Sequence, residues 1–228
     1  MVSCRIKRLD LNINNTLDLR QRHSAAIRIW HWSFFIILTA SLATVGLAST
    51  LFRTRNNIAS VQTQLQKKGV AVNPDQARAV AHEFNDKLWG LHTWLGYILC
   101  FFVVVRIVIE CTQPSAERLS RRLKAALTFR PASPQERGQQ QHYLLVKRSY
   151  LVFYAAIVVM ALTGLVLAFE NIALFKEWRA PVKQLHAFVQ YVIYGYVLLH
   201  LAGVIRADIG QFPGIVSGMI NGRKSNPQ

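Results

Sequence analysis

The feature that most constrains this chain is a set of four apolar stretches, each about as long as a membrane-spanning helix. They cover residues 27–49, 88–109, 150–169 and 185–205. A helix needs about 20 predominantly apolar residues to cross the hydrocarbon core of a bilayer. In a chain of 228 residues with 52% hydrophobic side chains, this pattern predicts an all-α membrane protein. The predicted fold is a four-helix transmembrane bundle at residues 27–209, with no separate soluble domain.

The placement of the basic residues predicts how the bundle is oriented in the membrane. Of the 27 Lys and Arg residues, 18 lie at the two ends of the chain or between spans two and three, counting Arg28 and Arg106 near the ends of their spans, and 9 lie in the other two connections. Lys and Arg accumulate on the cytoplasmic side of membrane proteins, so a basic tail at 1–26 and a second tail at 210–228 are both predicted to be cytoplasmic. The formal net charge of +16 therefore indicates membrane topology and no nucleic-acid partner.

Two long connections carry helix signals of their own. In the outer connection, residues 50–87, the run Asn73-Pro74-Asp75 is typical of a helix start, which predicts a short amphipathic surface helix leading into span two. In the inner connection, residues 120–127 mix basic residues with Leu at helical spacing between Pro-containing turns. This pattern favours contact with anionic lipid headgroups; a docking site for a cytoplasmic protein is the alternative.

Four of the seven histidines fall in apolar sequence. An ionisable side chain inside a membrane span is costly and indicates function by default. The four are His31 in span one, His92 in span two, and His186 and His200 in span four. The remaining three lie in polar segments and are predicted to be solvated surface residues: His23, His82 and His142.

The spacing of the two span-four histidines predicts two sites at two depths. His186 and His200 are 14 residues apart, which at about 100° per residue places them on one helix face, roughly 21 Å apart along the axis. With the predicted topology, His31 starts span one at the inner level of His200, and His92 starts span two at the outer level of His186. Each level then holds one histidine from each of two helices.

Two facing imidazoles in an apolar interior fit the two axial positions of a haem iron. Close approach of helices to a flat macrocycle needs small residues, and its carboxylates need cations at the membrane surfaces. The cations also fit plain topology signals, and both interpretations stay open. The candidate glycines are Gly46, Gly96, Gly164, Gly195 and Gly203; the candidate cations are Arg28, Arg106, Lys147, Arg148 and Arg206 on the inner side and Arg53, Arg179 and Lys183 on the outer.

Two other functions compete with an electron carrier. One is a haem-free transporter that uses the histidines to bind zinc or copper, and the other is a membrane anchor subunit whose histidines only pack. The four apolar stretches contain no Asp or Glu, whereas cation transporters and pumps usually place carboxylates within the membrane. This absence favours a neutral ligand field over cation transport.

These histidines stand in segments that resemble known proteins. The segments are "RIWHW" opening span one, "LHTWLGYILCFFVVVRIV" in span two, "MALTGLVLAF" in span three and "LHAFVQYVIYGYVLLHLAG" in span four. Together they resemble the bacterial four-helix dihaem cytochromes b, cytochrome b561 and the related cytochrome b subunits of membrane-bound hydrogenases. The resemblance covers residues 27 to about 206, and its most specific part is the pair of histidines in span four.

The resemblance implies two bis-histidine haems b in a bacterial inner membrane, His31 with His200 and His92 with His186. It implies electron transfer between quinone or quinol in the lipid and a periplasmic or membrane redox partner. Arg28, Arg106 and Lys183 are then expected near the haem carboxylates. Arg179, Lys183 and Tyr191 are candidates to reach a quinone as substrate. The 38-residue outer connection departs from the compact pattern of the family and leaves the external partner open.

One observation separates the three functions. An electron carrier of this kind is expected to purify as a red protein with a sharp visible absorption band on reduction by dithionite. Colourless protein that contains zinc would indicate the transporter, and colourless protein without metal would indicate the anchor.

Overall fold

The computed structural model describes residues 24–113, 118–210 and 214–222. Most of the predicted tails at 1–26 and 210–228 lies outside these residues. Within the described ranges the chain forms helices and no strands. The helices are α1 Ala25–Ser49, α2 Thr54–Gln66, α3 Pro74–Thr112, α4 Leu119–Thr128, α5 Pro134–Ala168, α6 Ala173–Lys176, α7 Arg179–Ile209 and α8 Ile215–Asn221.

Four of these helices, α1, α3, α5 and α7, are long and apolar enough to cross a membrane. The predicted all-α architecture with four spans is therefore confirmed. The spanning helices run beyond the predicted apolar stretches, most of all α3 with 39 residues and α5 with 35. At 1.5 Å per residue α3 is about 58 Å long, roughly twice the hydrocarbon thickness of a bilayer, so its ends project past the membrane.

The outer connection is more helical than the sequence predicted. The start signal at Asn73 is confirmed: its side chain accepts from Gln76 N, the Gln76 side chain accepts in return from Asn73 N, and Pro74 occupies the first helical position. The helix that begins there continues without a break into span two, where a separate short helix was expected. Helix α2, which packs along α3, was not predicted.

The inner connection forms a helical hairpin against span three. The helix predicted at residues 120–127 is confirmed as α4, and Ala126 is buried where α4 packs on α5. The Gln140 amide of α5 donates to the carbonyls of Ala126 and Phe129 and so satisfies the end of α4. Helix α5 starts at Pro134 with a Ser133 cap, well before the predicted span. The Pro-containing turn at 114–117 lies outside the described residues.

The helices pack as two pairs around a small core at the middle of the bundle. Helix α1 packs along α3 and α5 along α7. The core that joins the pairs consists of Trp30, Phe34 and Leu38 of α1, Ile157 of α5, and Val189 and Ile193 of α7. Few of the other apolar side chains of the spans are fully buried, as expected where lipid, which is itself apolar, surrounds the protein.

Polar contacts tie the inner ends of the helices together. Trp30 Nε1 donates to Phe102 O at 2.8 Å and joins α1 to α3. Arg106 forms an ion pair with Glu110 at 2.9 Å and donates to the Tyr154 hydroxyl of α5 at 3.0 Å. The Glu110 carboxylate also accepts from Leu119 N at the start of α4. Glu110 lies one residue past the apolar stretch that contains no Asp or Glu. Through Arg106 and Leu119 it links α3 to α5 and α4.

The predicted C-terminal tail contains a helix that contacts span one. Helix α8 follows α7, and the Asp208 carboxylate of α7 accepts from Val216 N at 3.2 Å. Trp32 Nε1 of α1 donates to Met219 O of α8 at 3.2 Å. The end of α7 and the start of α1 are therefore at the same end of the bundle.

Asn85 is expected to fasten the outer end of α1 to α3. Its amide donates to Ala48 O in the last turn of α1 at 2.9 Å and to Phe52 O in the turn that follows at 3.0 Å. Carbonyls in the last turn of a helix have no hydrogen-bond donor within that helix. Asn85→Ala should lower the free energy of unfolding by about 1 kcal/mol, measured as a lower midpoint of thermal unfolding in detergent. Asn56→Ala, at an exposed position of α2, is the control. Equal midpoints for the two variants would contradict this role.

Candidate functional site

One face of α7 carries both span-four histidines and the α7 part of the core. His186, Val189, Ile193 and His200 follow each other at spacings of three, four and seven residues, which keeps them on one stripe of the helix. The core residues Val189 and Ile193 therefore separate two histidines that lie about 21 Å apart along the helix axis. The packed middle of the bundle divides an outer site from an inner one.

Each of these histidines faces a histidine of another helix. The ring centroids of His31 and His200 are 6.3 Å apart, with an interplanar angle of 58°. The ring centroids of His92 and His186 are 6.4 Å apart, with an angle of 88°. The structure thus brings together the four histidines singled out by sequence, in the two combinations that topology and spacing predicted. The inner pair joins α1 to α7, and the outer pair joins α3 to α7.

The outer histidine of α3 is held by hydrogen bonds to α1. His92 Nδ1 lies 3.2 Å from Ser41 Oγ, 3.2 Å from Thr44 Oγ1 and 3.3 Å from Ser41 O. A carbonyl oxygen only accepts, and Thr44 already donates its own proton to Ser41 O at 2.6 Å. His92 Nδ1 is therefore the donor, and Nε2 carries the lone pair.

The outer histidine of α7 is held in the same way by α5. Thr163 Oγ1 donates to Val159 O at 2.7 Å and lies 2.8 Å from His186 Nδ1. Since the hydroxyl proton is already used, His186 Nδ1 donates to it and Nε2 keeps its lone pair. The neighbouring Gly164 lets the ring lie close to α5, because a Cβ there would be 3.4 Å from His186 Cε1.

The inner pair has aromatic surroundings. His200 stacks on Tyr196 with ring centroids 5.9 Å apart and planes 7° apart, and Tyr196 stacks on Phe153 at 4.4 Å. His31 meets Trp32 edge to face at 5.5 Å. Ring stacking of this kind limits the rotation of the inner imidazoles by packing.

The three predicted cations lie near the levels of the histidines. Arg28 is one turn before His31, and its guanidinium lies against Gly222 at the end of α8, where a Cβ would collide with it. Among the described residues nothing accepts from the buried Nε and Nη1 of Arg28 or from the buried Nη1 of Arg106. Lys183 is exposed one turn before His186. Arg28 and Arg106 thus have donor nitrogens without an acceptor among the described residues at the inner end. Other nitrogens of Arg106 donate to Glu110 and Tyr154.

The remaining candidates divide into those with local partners and those in open surroundings. A Cβ at Gly46, Gly96, Gly195 or Gly203 would meet nothing within 4 Å, so only Gly164 contacts a histidine. Arg179 pairs with Glu170, and Tyr191 is 70% exposed. Lys147 packs over the rings of Tyr143 and Tyr150 at 5.2 Å each. His142 is exposed, as is His82, which binds Asp86; His23 lies outside the described residues.

Three side chains that contact the outer histidines were not predicted from the sequence: Ser41, Thr44 and Thr163. They are 4%, 4% and 7% exposed, and they are the buried polar residues of the described ranges. All three hydroxyls lie within hydrogen-bond distance of the outer histidines. A Ser or Thr within an apolar stretch could have pointed to these residues in the sequence. Thr39 has the same pattern, however, and is exposed.

The donor set fits a haem iron. Two imidazoles that bind one metal ion from opposite sides at about 2 Å have ring centroids roughly 6 Å apart, because each centroid lies about one ångström beyond its nitrogen. Both pairs have this spacing. In the part of the chain that the structure describes, no third His, Cys, Asp or Glu joins either pair. The spacing and composition of each pair suit the two axial positions of a porphyrin iron, whereas structural zinc takes four protein ligands.

Comparison with known proteins agrees with this geometry. A family model described as prokaryotic cytochrome b561 matches residues 22–222. No curated protein and no solved structure matches the chain. Because the family match covers all four spanning helices and both histidine pairs, the chain belongs to the prokaryotic cytochrome b561 family of membrane proteins, which transfer electrons through haem b.

Proposed function

We propose that this protein carries two haems b and passes electrons through them across the bacterial inner membrane. His31 and His200 would hold the inner haem, and His92 and His186 the outer haem. The observation that carries the proposal is the presence of two facing imidazole pairs, with ring centroids 6.3 and 6.4 Å apart. They lie at opposite ends of one spanning helix, as a path across the membrane requires.

The residues of the chain supply ligation, orientation and charge balance, while bound haem supplies a one-electron couple. The histidines offer neutral nitrogen ligands in an interior with little water. The unsatisfied guanidinium nitrogens of Arg28 and Arg106 would receive the carboxylates of the inner haem, and Lys183 those of the outer haem. The core between the pairs, formed by Val189, Ile193 and their neighbours, excludes water from the middle of the path.

The exchange partners are proposed to be quinone or quinol in the lipid and a redox protein in the periplasm or the membrane. With both termini cytoplasmic, the outer pair lies toward the periplasm, on the same side as α2 and the first turns of α3. Lys183 and Tyr191 are both exposed on α7 near His186. They are the polar groups best placed to meet a quinone that arrives through the lipid.

Removal of one inner ligand should remove one haem. His200→Ala is expected to lower the haem content from two to one per chain and to leave the dithionite-reduced band of the outer haem. His186→Ala should do the converse, and the double variant should bind none. The measurement is haem per protein by pyridine haemochrome, together with reduced-minus-oxidised spectra.

His142→Ala is the matched control, because His142 is an exposed histidine on α5 and should bind no haem. Two haems with unchanged spectra in the His200 variant would contradict the pairing. Colourless wild-type protein would contradict the proposed function.

Gly164 should be needed for the outer haem only. A Cβ at this position would already contact His186, so the branched side chain in Gly164→Val should displace the ring. We expect loss of the outer haem and retention of the inner one, measured by haem content. Gly138→Val, at an exposed position of the same helix α5 where a Cβ would meet nothing within 4 Å, is the control for the cost of a β-branched residue in a helix. Two haems in both variants would show that Gly164 has no such role.

A further inference from the structure

We propose that Ser41, Thr44 and Thr163 are positioning residues that tune the outer haem and leave the inner haem unaffected. This inference rests on the proposed function, and it concerns how the chain would set the properties of the outer haem. The three hydroxyls come from α1 and α5, whereas the outer histidines themselves come from α3 and α7. They act through the histidines and do not themselves reach the iron.

The hydrogen bonds assign one tautomer to both outer histidines. Thr44 and Thr163 donate their own protons to backbone carbonyls of the same helix, at 2.6 and 2.7 Å. Their oxygens can therefore only accept from His92 and His186. Both imidazoles then carry the proton on Nδ1 and present Nε2, the nitrogen farther from the main chain, as ligand. The site is set in its ligating form before a cofactor arrives.

The three hydroxyl side chains are buried, and their contacts with the imidazoles exceed what their own burial requires. A hydroxyl within an apolar bundle costs free energy unless it is hydrogen-bonded. Each of the three could satisfy itself on its own helix backbone, as Thr93 does with Trp89 O at 3.0 Å. Thr44 and Thr163 do so and still accept a second bond from an imidazole. Helices α1 and α5, which flank the outer pair, thus each place a hydroxyl within hydrogen-bond distance of one of its imidazoles.

The inner pair is oriented by other means. His200 is stacked on Tyr196, which is stacked on Phe153, and His31 packs against Trp32. None of the hydroxyls of Ser41, Thr44 and Thr163 is found at these inner rings. The outer imidazoles donate Nδ1–H to oxygen, which raises their electron donation through Nε2 and stabilises the more highly charged ferric state. The outer haem should therefore have a lower reduction potential with these bonds than without them.

The test is a redox titration of the purified full-length protein, followed by visible absorbance and resolved into outer and inner components. The His186→Ala and His200→Ala variants identify which component is which. Thr163→Val should shift the outer midpoint potential upward, move the low-spin ferric EPR signal of that haem, and weaken its haem affinity about 10- to 100-fold. Thr163→Ser keeps the hydroxyl and should restore the wild-type values.

Two further variants keep the proposal falsifiable if Thr163→Val folds poorly. Ser41→Ala combined with Thr44→Val removes both hydroxyls at His92 but leaves Ser41 O as an acceptor at 3.3 Å, so a smaller upward shift of the same haem is expected. Thr39→Val, at an exposed position of α1, is the control and should shift neither haem.

The outcomes separate this inference from the proposed function. Wild-type protein without haem would contradict the proposed function itself. Two bis-histidine haems in the wild type, with an outer potential that is unchanged in both sets of hydroxyl variants, would overturn only the role of Ser41, Thr44 and Thr163. An equal shift of both haems would also overturn it, since no hydroxyl of this set contacts the inner pair.

Discussion

The structure depends on how four imidazoles are accommodated in an apolar bundle. A buried polar atom without a partner costs free energy, and in lipid water is not available to supply one. On the outer side, oxygens of α1 and α5 lie within hydrogen-bond distance of Nδ1 of both rings. These contacts leave Nε2 of each outer ring available for the haem that we propose there.

The division of the bundle follows from the same requirement. The helices pair as α1 with α3 and α5 with α7, and the histidine pairs bridge between these two halves. The largest cluster of buried apolar side chains lies between the two histidine pairs, around Phe34, Ile157 and Ile193. Beyond this core the inner end is held by polar contacts such as Trp30 to Phe102 and Arg106 to Glu110. A core at mid-depth keeps two sites apart while fixing the distance between them.

Much of the fold was predictable because its signals are local. Apolar length gave the four spans, and the capping pattern at Asn73 gave the start of α3. Residues 120–127 were predicted as a helix and form α4. The predictions were poorer where polar sequence is helical through packing alone. Helix α2 was not predicted, because its apolar stripe is limited to Ile58, Val61 and Leu65 in otherwise polar sequence; these three side chains are half-buried in the structure, where α2 packs along α3. The first four turns of α5 are likewise polar and are supported by α4.

The sequence by itself determined the class of the protein and the position of its histidines along each helix, because hydrophobicity and a period of 3.6 residues are properties of one segment at a time. That was enough to place His186 and His200 on one face of α7, and to match each of them by depth with a histidine of another helix. Only the tertiary structure decided that Ser41, Thr44 and Thr163 meet the outer rings while Thr39 faces outward, and that α8 packs Gly222 against Arg28. Contacts between helices depend on the rotation and depth of each helix, which are set by all its neighbours together.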